Sequence, residues 1–135
     1  MKFSELFVGQ KGARVKKFSS ADVEDFARIS TDLNPVHLDE KFAAETMFGK
    51  RIVHGILVSG LISAVLGKEL PGEGTIYLGQ ELSFLAPVYL DEEIRAEVEV
   101  TELREDKKIV KLSTNCFKAD GTQVIRGNAT VKLFV

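Results

Sequence analysis

Residues 55–66 of the chain read GILVSGLISAVL, a run that contains no charged side chain. The run is shorter than the roughly 20 residues that a helix needs to cross a bilayer, so we expect a helix inside the protein. A helix that is apolar on almost every face must be surrounded by other parts of the protein. The rest of the sequence should therefore supply a layer that wraps around this segment.

The wrapping layer is predicted downstream, where inward and outward positions alternate from Thr75 onward. A period of two is typical of strands that bury one face. The segments Glu105-Asp106-Lys107 and Ala119-Asp120-Gly121 have the composition of hairpin turns. We expect a meander of about four antiparallel strands around a central apolar helix, which is an α+β fold. The positions expected to share faces are Ile76, Leu78, Leu82 and Phe84, then Ile94, Ala96, Val98 and Val100, then Val110, Leu112, Thr114 and Cys116, and finally Ile125, Gly127, Ala129, Val131 and Leu133.

Length and composition are those of an ordinary globular protein. With 135 residues, 44% of them hydrophobic, we expect one domain over residues 1–135. The net charge of −2 and the scattered basic residues argue against nucleic-acid binding. A start of MKFSEL has no apolar signal segment, and the single Cys116 excludes an internal disulfide, so we expect a cytoplasmic protein without membrane attachment. One sheet of this kind cannot close on itself, so we expect its edge and the open side of the helix to be covered in a symmetric dimer, with two sheets joined edge to edge.

Two short helices are predicted upstream of the apolar run. Ser19 and the acid three residues later form a capped start, and helical spacing continues to about Ser30. Pro35 forces the residue before it out of the helical region and fixes a turn. Residues 39–46 suit a second short helix, with Asp39 as its cap.

Asp32 and His37 lie in the turn between these helices, with Leu33-Asn34-Pro35-Val36 between them. The rigid bend at Asn34-Pro35 lets a carboxylate and an imidazole point at one spot. Histidine exchanges a proton near neutral pH at little cost, so the pair is a candidate acid and base. This spacing alone is more often a helix cap and a surface histidine.

His54 and Gly55 stand at the start of the apolar helix. Glycine lets a substrate approach the backbone, where free N–H groups can hold a developing oxyanion. The alternative is that Gly55 only permits close packing against the sheet. We assign His54 a structural role and predict no metal site, because two histidines without cysteines or an i,i+4 pair make a poor zinc site.

Ser59 and Ser63 lie four residues apart on the apolar helix. The usual role of such serines is a hydrogen bond to the preceding turn. Neither belongs to a G-x-S-x-G elbow, so a serine nucleophile is disfavoured, although Ser63 could still donate a hydrogen bond. Cys116, inward on a strand without a partner histidine, is assigned to the core.

Residues 26–39, FARISTDLNPVHLD, and residues 52–55, IVHG, resemble the hydratase motif of the MaoC-like (R)-specific enoyl-CoA hydratases, which have the hot dog fold. The downstream segments YLGQELSF at 77–84, Pro87-Val88 and EVEV at 97–100 are also similar to that family. The resemblance covers essentially the whole chain and matches the short bacterial form that pairs as homodimers.

The resemblance implies that Asp32 and His37 activate one water, which adds to the β-carbon of a trans-2-enoyl-CoA while a proton reaches the α-carbon on the same face. It implies that the N–H of Gly55 binds the thioester oxygen and that the product is an (R)-3-hydroxyacyl-CoA, with no cofactor. In this family each site is completed across the dimer interface. The other positions that the resemblance assigns are Ser63 and Asn34 as supporting residues, and Leu66 and Val131 at the end of the acyl tunnel.

Three other activities are compatible with the same fold. A dehydratase acting on acyl carrier protein thioesters runs the same chemistry backwards. A hot dog thioesterase is disfavoured because Asp32 and His37 lie upstream of the helix, as in hydratases. A non-catalytic acyl-binding module is disfavoured because both proton-transfer residues are present. Polyhydroxyalkanoate monomer supply and fatty-acid metabolism are both compatible pathways. The sequence favours no particular acyl length.

Overall fold

The computed structural model describes residues 1–135 as four α-helices and five strands, after a short 3-10 helix at Phe3–Glu5. All strands pair antiparallel in one sheet, in the order β1-β3-β4-β5-β2. The predicted α+β class is therefore confirmed. In chain order the elements are β1 (Lys11–Lys17), α1 (Ser20–Ser30), α2 (Pro35–Leu38), α3 (Glu40–Ala44), α4 (Gly55–Lys68), β2 (Thr75–Phe84), β3 (Glu93–Arg104), β4 (Ile109–Lys118) and β5 (Gln123–Leu133).

Helix α4 is the central element around which the sheet wraps, as the apolar run predicts. It contacts β1, β2, β3 and β4, and Val58, Ile62 and Val65 lie in one core cluster with the inner face of the sheet. The predicted inward faces of β3, β4 and β5 are buried throughout, which confirms their alternation. None of the helices has both the length and the apolar character needed to cross a membrane.

One face of α4 is open, as expected for a helix against one sheet that does not close on itself. Ile56 is 57% exposed, and Gly60, Ser63 and Gly67 follow it at helical spacing on the same exposed face. A single sheet curls around only part of a helix, so it leaves one stripe uncovered. The apolar Ile56 on that stripe is then left without cover from within the chain.

The strand order also differs from the predicted meander. Only β3, β4 and β5 are sequential neighbours, whereas β2 pairs with β5 at the far edge. The fifth strand, β1, was not predicted and pairs with β3 at the opposite edge. Its sequence, KGARVKK, has no buried position, so it carries no alternation that periodicity could detect.

Strand β2 does not present the predicted buried face. Leu82 is partly buried, but Ile76, Leu78 and Phe84 are 40%, 53% and 52% exposed. The strand lies at the edge of the sheet and is interrupted by a bulge between Tyr77 and Gly79, which changes the side on which residues point. An exposed apolar edge of this kind is itself a feature that needs cover.

The predicted caps and turns form as the sequence indicates. Ser19 and Asp22 make a reciprocal capping box at the start of α1, and the Asp39 side chain caps α3. The Pro35 turn is tighter than predicted: it forms the one-turn helix α2, because proline is preorganised for a first helical position. In the turn between β4 and β5, Gly121 adopts a left-handed φ of 92°, which favours glycine.

Candidate active site

A cavity of about 440 Å³ opens beside the first turn of α4. Its polar end is formed by Asp32, His37 and His54, next to Gly55. An apolar cleft with a few converging polar groups is the usual form of a small-molecule site. The other lining residues are Phe48, Ile52, Val53, Ile56, Val58, Phe84, Leu85, Ala86, Pro87, Val88, Val124 and Ile125.

The loop before α2 brings Asp32 and His37 together. A carboxylate oxygen of Asp32 and one ring nitrogen each of His37 and His54 all lie within 4.8 Å of one another. The backbone N–H of Asn34 donates to Asp32 Oδ1 at 3.3 Å, and Asn34 Oδ1 in turn accepts from Val36 N at 3.3 Å. These two local bonds fix the direction of the carboxylate relative to α2.

The tautomer of His37 follows from its hydrogen bond. Nδ1 lies 2.8 Å from the carbonyl oxygen of Ile52, which can only accept, so Nδ1 carries the proton. The other nitrogen, Nε2, therefore has a free lone pair. With the side chain only 8% exposed, His37 is a fixed imidazole base with one nitrogen available to a substrate or a water.

Arg51 supports His37 through the His37 backbone, a contact that the sequence did not indicate. Its Nε donates to the His37 carbonyl oxygen at 2.6 Å, and its Nη1 donates to Ser20 Oγ at 3.0 Å. The guanidinium is 7% exposed and so ties α1 to α2 from inside the protein. The available signal was a lone arginine directly before the apolar residues Ile52 and Val53.

Gly55 is placed so that both of its proposed roles are geometrically possible. It is the first residue of α4, so its N–H has no acceptor within the helix, and it lines the cavity. A Cβ at this position would lie 2.7 Å from Cδ1 of Phe84. Glycine is therefore required for close packing, and it also leaves the helix N-terminus accessible to a ligand.

His54 is buried against Asp32 and His37. The ring is 2% exposed, its Nε2 lies 3.1 Å from the backbone carbonyl oxygen of Asp32, and it stacks on His37 with a centroid distance of 3.8 Å. Burial, followed by the nearby His37, lowers the pKa of His54 below its ordinary 6.5. The ring is therefore a neutral part of the site at neutral pH.

We expect the free energy of unfolding to fall as the pH drops below about 6.5. The pKa of His54 is lower in the folded than in the unfolded protein, so below 6.5 the unfolded chain binds the proton first. The stabilisation that comes from the neutral, buried His54 is complete above pH 6.5 and is lost as the pH falls toward the pKa of His54 in the folded protein. Urea unfolding of wild type and His54→Phe across this range measures it. Parallel profiles for the two proteins would contradict the assignment.

Asp32, His37 and His54 do not suit a shared metal ion, although they lie close together. A histidine nitrogen binds a metal in the plane of its ring, at about 2.0–2.1 Å for zinc. The His37 and His54 rings are stacked 3.8 Å apart at an interplanar angle of 27°, so their lone pairs do not converge. The arrangement favours proton transfer over metal binding.

The serines and the cysteine lie away from the reacting end of the cavity. Ser59 Oγ donates to the carbonyl oxygen of Ile56 at 2.6 Å, which confirms the predicted bond to the preceding turn. Ser63 is on the open face of α4 and does not line the cavity. Cys116 is fully buried, which confirms its core position and raises the pKa of its thiol to about 12. Its thiolate is therefore not available as a nucleophile.

Leu66 and Val131 are 1% and 0% exposed and belong to the core cluster. Neither lines the cavity of the single chain, whose inner wall on α4 is Val58. Leu66 lies eight residues beyond Val58, which is roughly 12 Å along the helix. Their place at the end of an acyl tunnel therefore stays a prediction.

The chain belongs to the MaoC-like domain family, whose model matches residues 8–120. It is 52% identical to the (R)-specific enoyl-CoA hydratase of Aeromonas caviae, over 98% of this chain and 99% of that protein. It is 46% identical to the 3-hydroxybutyryl-CoA dehydratase of Methylorubrum extorquens, over 97% of this chain and 83% of that protein.

The solved structure described as the (R)-hydratase from A. caviae involved in PHA biosynthesis superposes with a TM-score of 0.92. It shares 53% sequence identity, and the match covers 95% of this chain and 97% of that one. The hot dog fold implied by the sequence resemblance is thus confirmed.

Proposed function

We propose that the chain catalyses the reversible (R)-specific hydration of trans-2-enoyl-CoA to (R)-3-hydroxyacyl-CoA, with Asp32 and His37 as the proton-transfer pair. The observation that carries this proposal is the placement of both groups within 4.8 Å at the polar end of an apolar cavity. The names of the two relatives support it, because an enoyl-CoA hydratase and a 3-hydroxybutyryl-CoA dehydratase both interconvert an enoyl-CoA and a hydroxyacyl-CoA by moving one water.

The reaction needs one water held between the pair. Nε2 of His37 is the free nitrogen, so it accepts a proton from the water as the water oxygen bonds to the β-carbon. The carboxylate of Asp32, oriented by Asn34, accepts the second hydrogen bond of that water. The proton taken up by His37 is then delivered to the α-carbon on the same face, so the OH and the H of the water are both accounted for and the sum is the addition of H₂O across the double bond.

Negative charge develops on the thioester oxygen during this addition. The N–H of Gly55 lies at the helix start, beside the cavity, and stabilises that charge, as backbone donors do in an oxyanion hole. Ser63 supports the site from the open face of α4, in a role that requires the second copy described below.

The alternative is dehydration of a 3-hydroxyacyl thioester on acyl carrier protein, which uses the same two residues in the reverse direction. A thioesterase or a binding module would use the same cavity without the water addition. Hydratase, thioesterase and binding module separate in one assay, in which the absorbance of crotonyl-CoA is followed beside the release of free thiol. The carrier-protein dehydratase is tested with a carrier-bound substrate.

Loss of the enoyl chromophore without thiol is the expected result. Thiol release would identify a thioesterase, and no change in either signal would identify a binding module. A carrier-protein enzyme would dehydrate the carrier-bound hydroxyacyl thioester much faster than its CoA counterpart. Any of these three results contradicts the proposal.

We also propose that the active form is a homodimer, with β2 and the open face of α4 in the interface. The β2 edge exposes Ile76, Tyr77 and Leu78 and has no lysine, whereas the β1 edge carries Lys11, Lys16 and Lys17. Lysine on an edge strand blocks pairing with another chain, so the apolar edge is the one suited to association. A second copy there would cover the stripe around Ile56 as well.

Leu78→Lys should abolish the dimer, because it places a charge on the apolar edge. Val15→Lys is the matched control, since Val15 is 46% exposed on the edge that is already basic. Sedimentation at micromolar concentration should give a dimer for wild type and the control, and a monomer with little activity for Leu78→Lys. A wild-type monomer with full turnover would contradict the shared site.

Leu66→Ala should shift the preference toward longer enoyl-CoAs if Leu66 bounds the acyl tunnel. Each added buried methylene contributes about 0.8 kcal/mol, nearly fourfold in relative kcat/KM, until the space is filled. The cavity costs roughly 2–5 kcal/mol of stability. Leu70→Ala is the control, because Leu70 is equally buried but packs against Gly12 of β1.

The measurement is the ratio of octenoyl-CoA to crotonyl-CoA activity in folded variants. We expect the ratio to rise for Leu66→Ala and to stay at the wild-type value for Leu70→Ala. An unchanged ratio in folded Leu66→Ala would return Leu66 and Val131 to the ordinary core.

A cytoplasmic location and a single domain over residues 1–135 complete the proposal, supported by the lone buried Cys116 and one continuous core cluster.

A further inference from the structure

His54 makes a hydrogen bond that the fold itself does not require. It occupies the N-cap position of α4, yet its side chain makes no capping bond. Instead Nε2 reaches back 22 residues to the backbone carbonyl oxygen of Asp32, at 3.1 Å. A carbonyl only accepts, so Nε2 carries the proton and Nδ1 is left with a lone pair.

That lone pair is buried without any partner. An unsatisfied buried acceptor is destabilising and rare in folded proteins. Phenylalanine at this position would fill similar space without leaving a polar atom unpaired. The feature that histidine alone provides here is the Nε2–H donor, which is directed at the residue that bears the candidate acid.

The flat faces of the His54 ring are used as well. One side stacks on His37, with centroids 3.8 Å apart, and the edge contact to Phe26 has centroids 4.8 Å apart at 63°. His54 thus touches both members of the pair, Asp32 through its backbone and His37 through its ring. Because the ring is neutral, it does not repel His37 when that imidazole takes up a proton during the reaction.

We infer that His54 is a positioning residue, which holds the Asp32 backbone by its Nε2–H and supports the His37 ring by stacking. It acts through these two residues and not by proton exchange with the substrate, because its free nitrogen is buried although the ring lines the cavity. The inference rests on the hydration proposed above and adds to it a specific reason for the alignment of the pair.

Two substitutions separate the hydrogen bond from the stacking. His54→Phe keeps an aromatic ring between Phe26 and His37 but removes the donor. His54→Gln places an amide N–H near the position of Nε2 and removes the ring. Because a misplacement of about 1 Å at a reacting group can cost roughly 10²-fold, we expect kcat to fall by about that factor in His54→Phe, with KM nearly unchanged.

His54→Gln should recover most of that loss, to within about tenfold of wild-type kcat, since the donor is restored. A structural role would give the opposite order, with activity following thermal stability and His54→Phe the better protein. Wild-type turnover in His54→Phe, or equal losses in both variants, overturns the inference.

The chain contains only two histidines, so the nitrogen NMR spectrum of its imidazoles reports both tautomers without overlap. We expect opposite tautomers, with the proton on Nδ1 in His37 and on Nε2 in His54. A proton on Nδ1 of His54 overturns the inference. The spectrum does not depend on catalysis, so a failure of the proposed hydration and a failure of this inference are distinguishable.

Discussion

Asp32→Asn and His37→Ala should each lower kcat by roughly 10²–10⁴, the range for loss of a general acid or base. Asparagine keeps the shape of Asp32 and its contact with the Asn34 N–H, but it carries no negative charge to polarise the water or to stabilise the protonated His37 imidazole. Alanine at position 37 removes Nε2 altogether. Neither change affects the apolar wall of the cavity, so KM should change far less than kcat.

The two residues should behave as one unit, because they act on the same water. The double variant should then be little slower than either single variant, as for groups that cooperate in one step. Asp39→Asn is a matched control: Asp39 is a nearby carboxylate whose side chain caps α3, and asparagine caps equally well. Near-wild-type turnover of either single variant would remove that residue from the mechanism.

Gly55→Ala should reduce kcat by roughly 10²-fold, through displacement of groups at the reacting end of the cavity. The new Cβ would lie 2.7 Å from Phe84 Cδ1, and that ring lines the same cavity. Either the ring moves toward the substrate or the start of α4 moves away from it. In both cases the N–H of Gly55 is no longer aligned with the thioester oxygen.

Gly67→Ala is the control on the same helix, because a Cβ there meets no atom of the same chain within 4 Å. Since Gly67 lies on the face assigned to the dimer interface, sedimentation must show that this variant remains a dimer. A second test relieves the contact by Phe84→Ala. If the ring causes the effect, adding Gly55→Ala to the Phe84→Ala protein should cost much less than adding it to wild type. Equal costs in the two backgrounds would show that the ring is not the cause, and full activity of Gly55→Ala would show that glycine is not needed at this position.

Much of the fold could be predicted because its signals are local. The Ser19 capping box, the apolar run of α4 and the alternation in β3, β4 and β5 each depend on neighbouring residues. Strand β1 was missed because an exposed basic edge strand has no buried periodicity. The pairing of β2 with β5 depends on contacts between distant segments, which no local pattern encodes.

The same distinction holds for the site. Asp32 and His37 could be predicted as a pair because only the short Asn34-Pro35 bend separates them. His54 reaches Asp32 across 22 residues, and Arg51 reaches His37 across 14, so their contacts depend on tertiary packing. The sequence indicated a structural role for His54 but gave no reason to expect it to contact both catalytic candidates.

The configuration of the product tests the central claim most directly. Crotonyl-CoA is incubated with the enzyme, and the 3-hydroxybutyryl-CoA formed is offered separately to an (R)-specific and an (S)-specific dehydrogenase. We predict that the (R)-specific enzyme oxidises all of the product and that Asp32→Asn forms almost none. Product of the (S) configuration, a racemic mixture, or equal formation by Asp32→Asn would contradict the account.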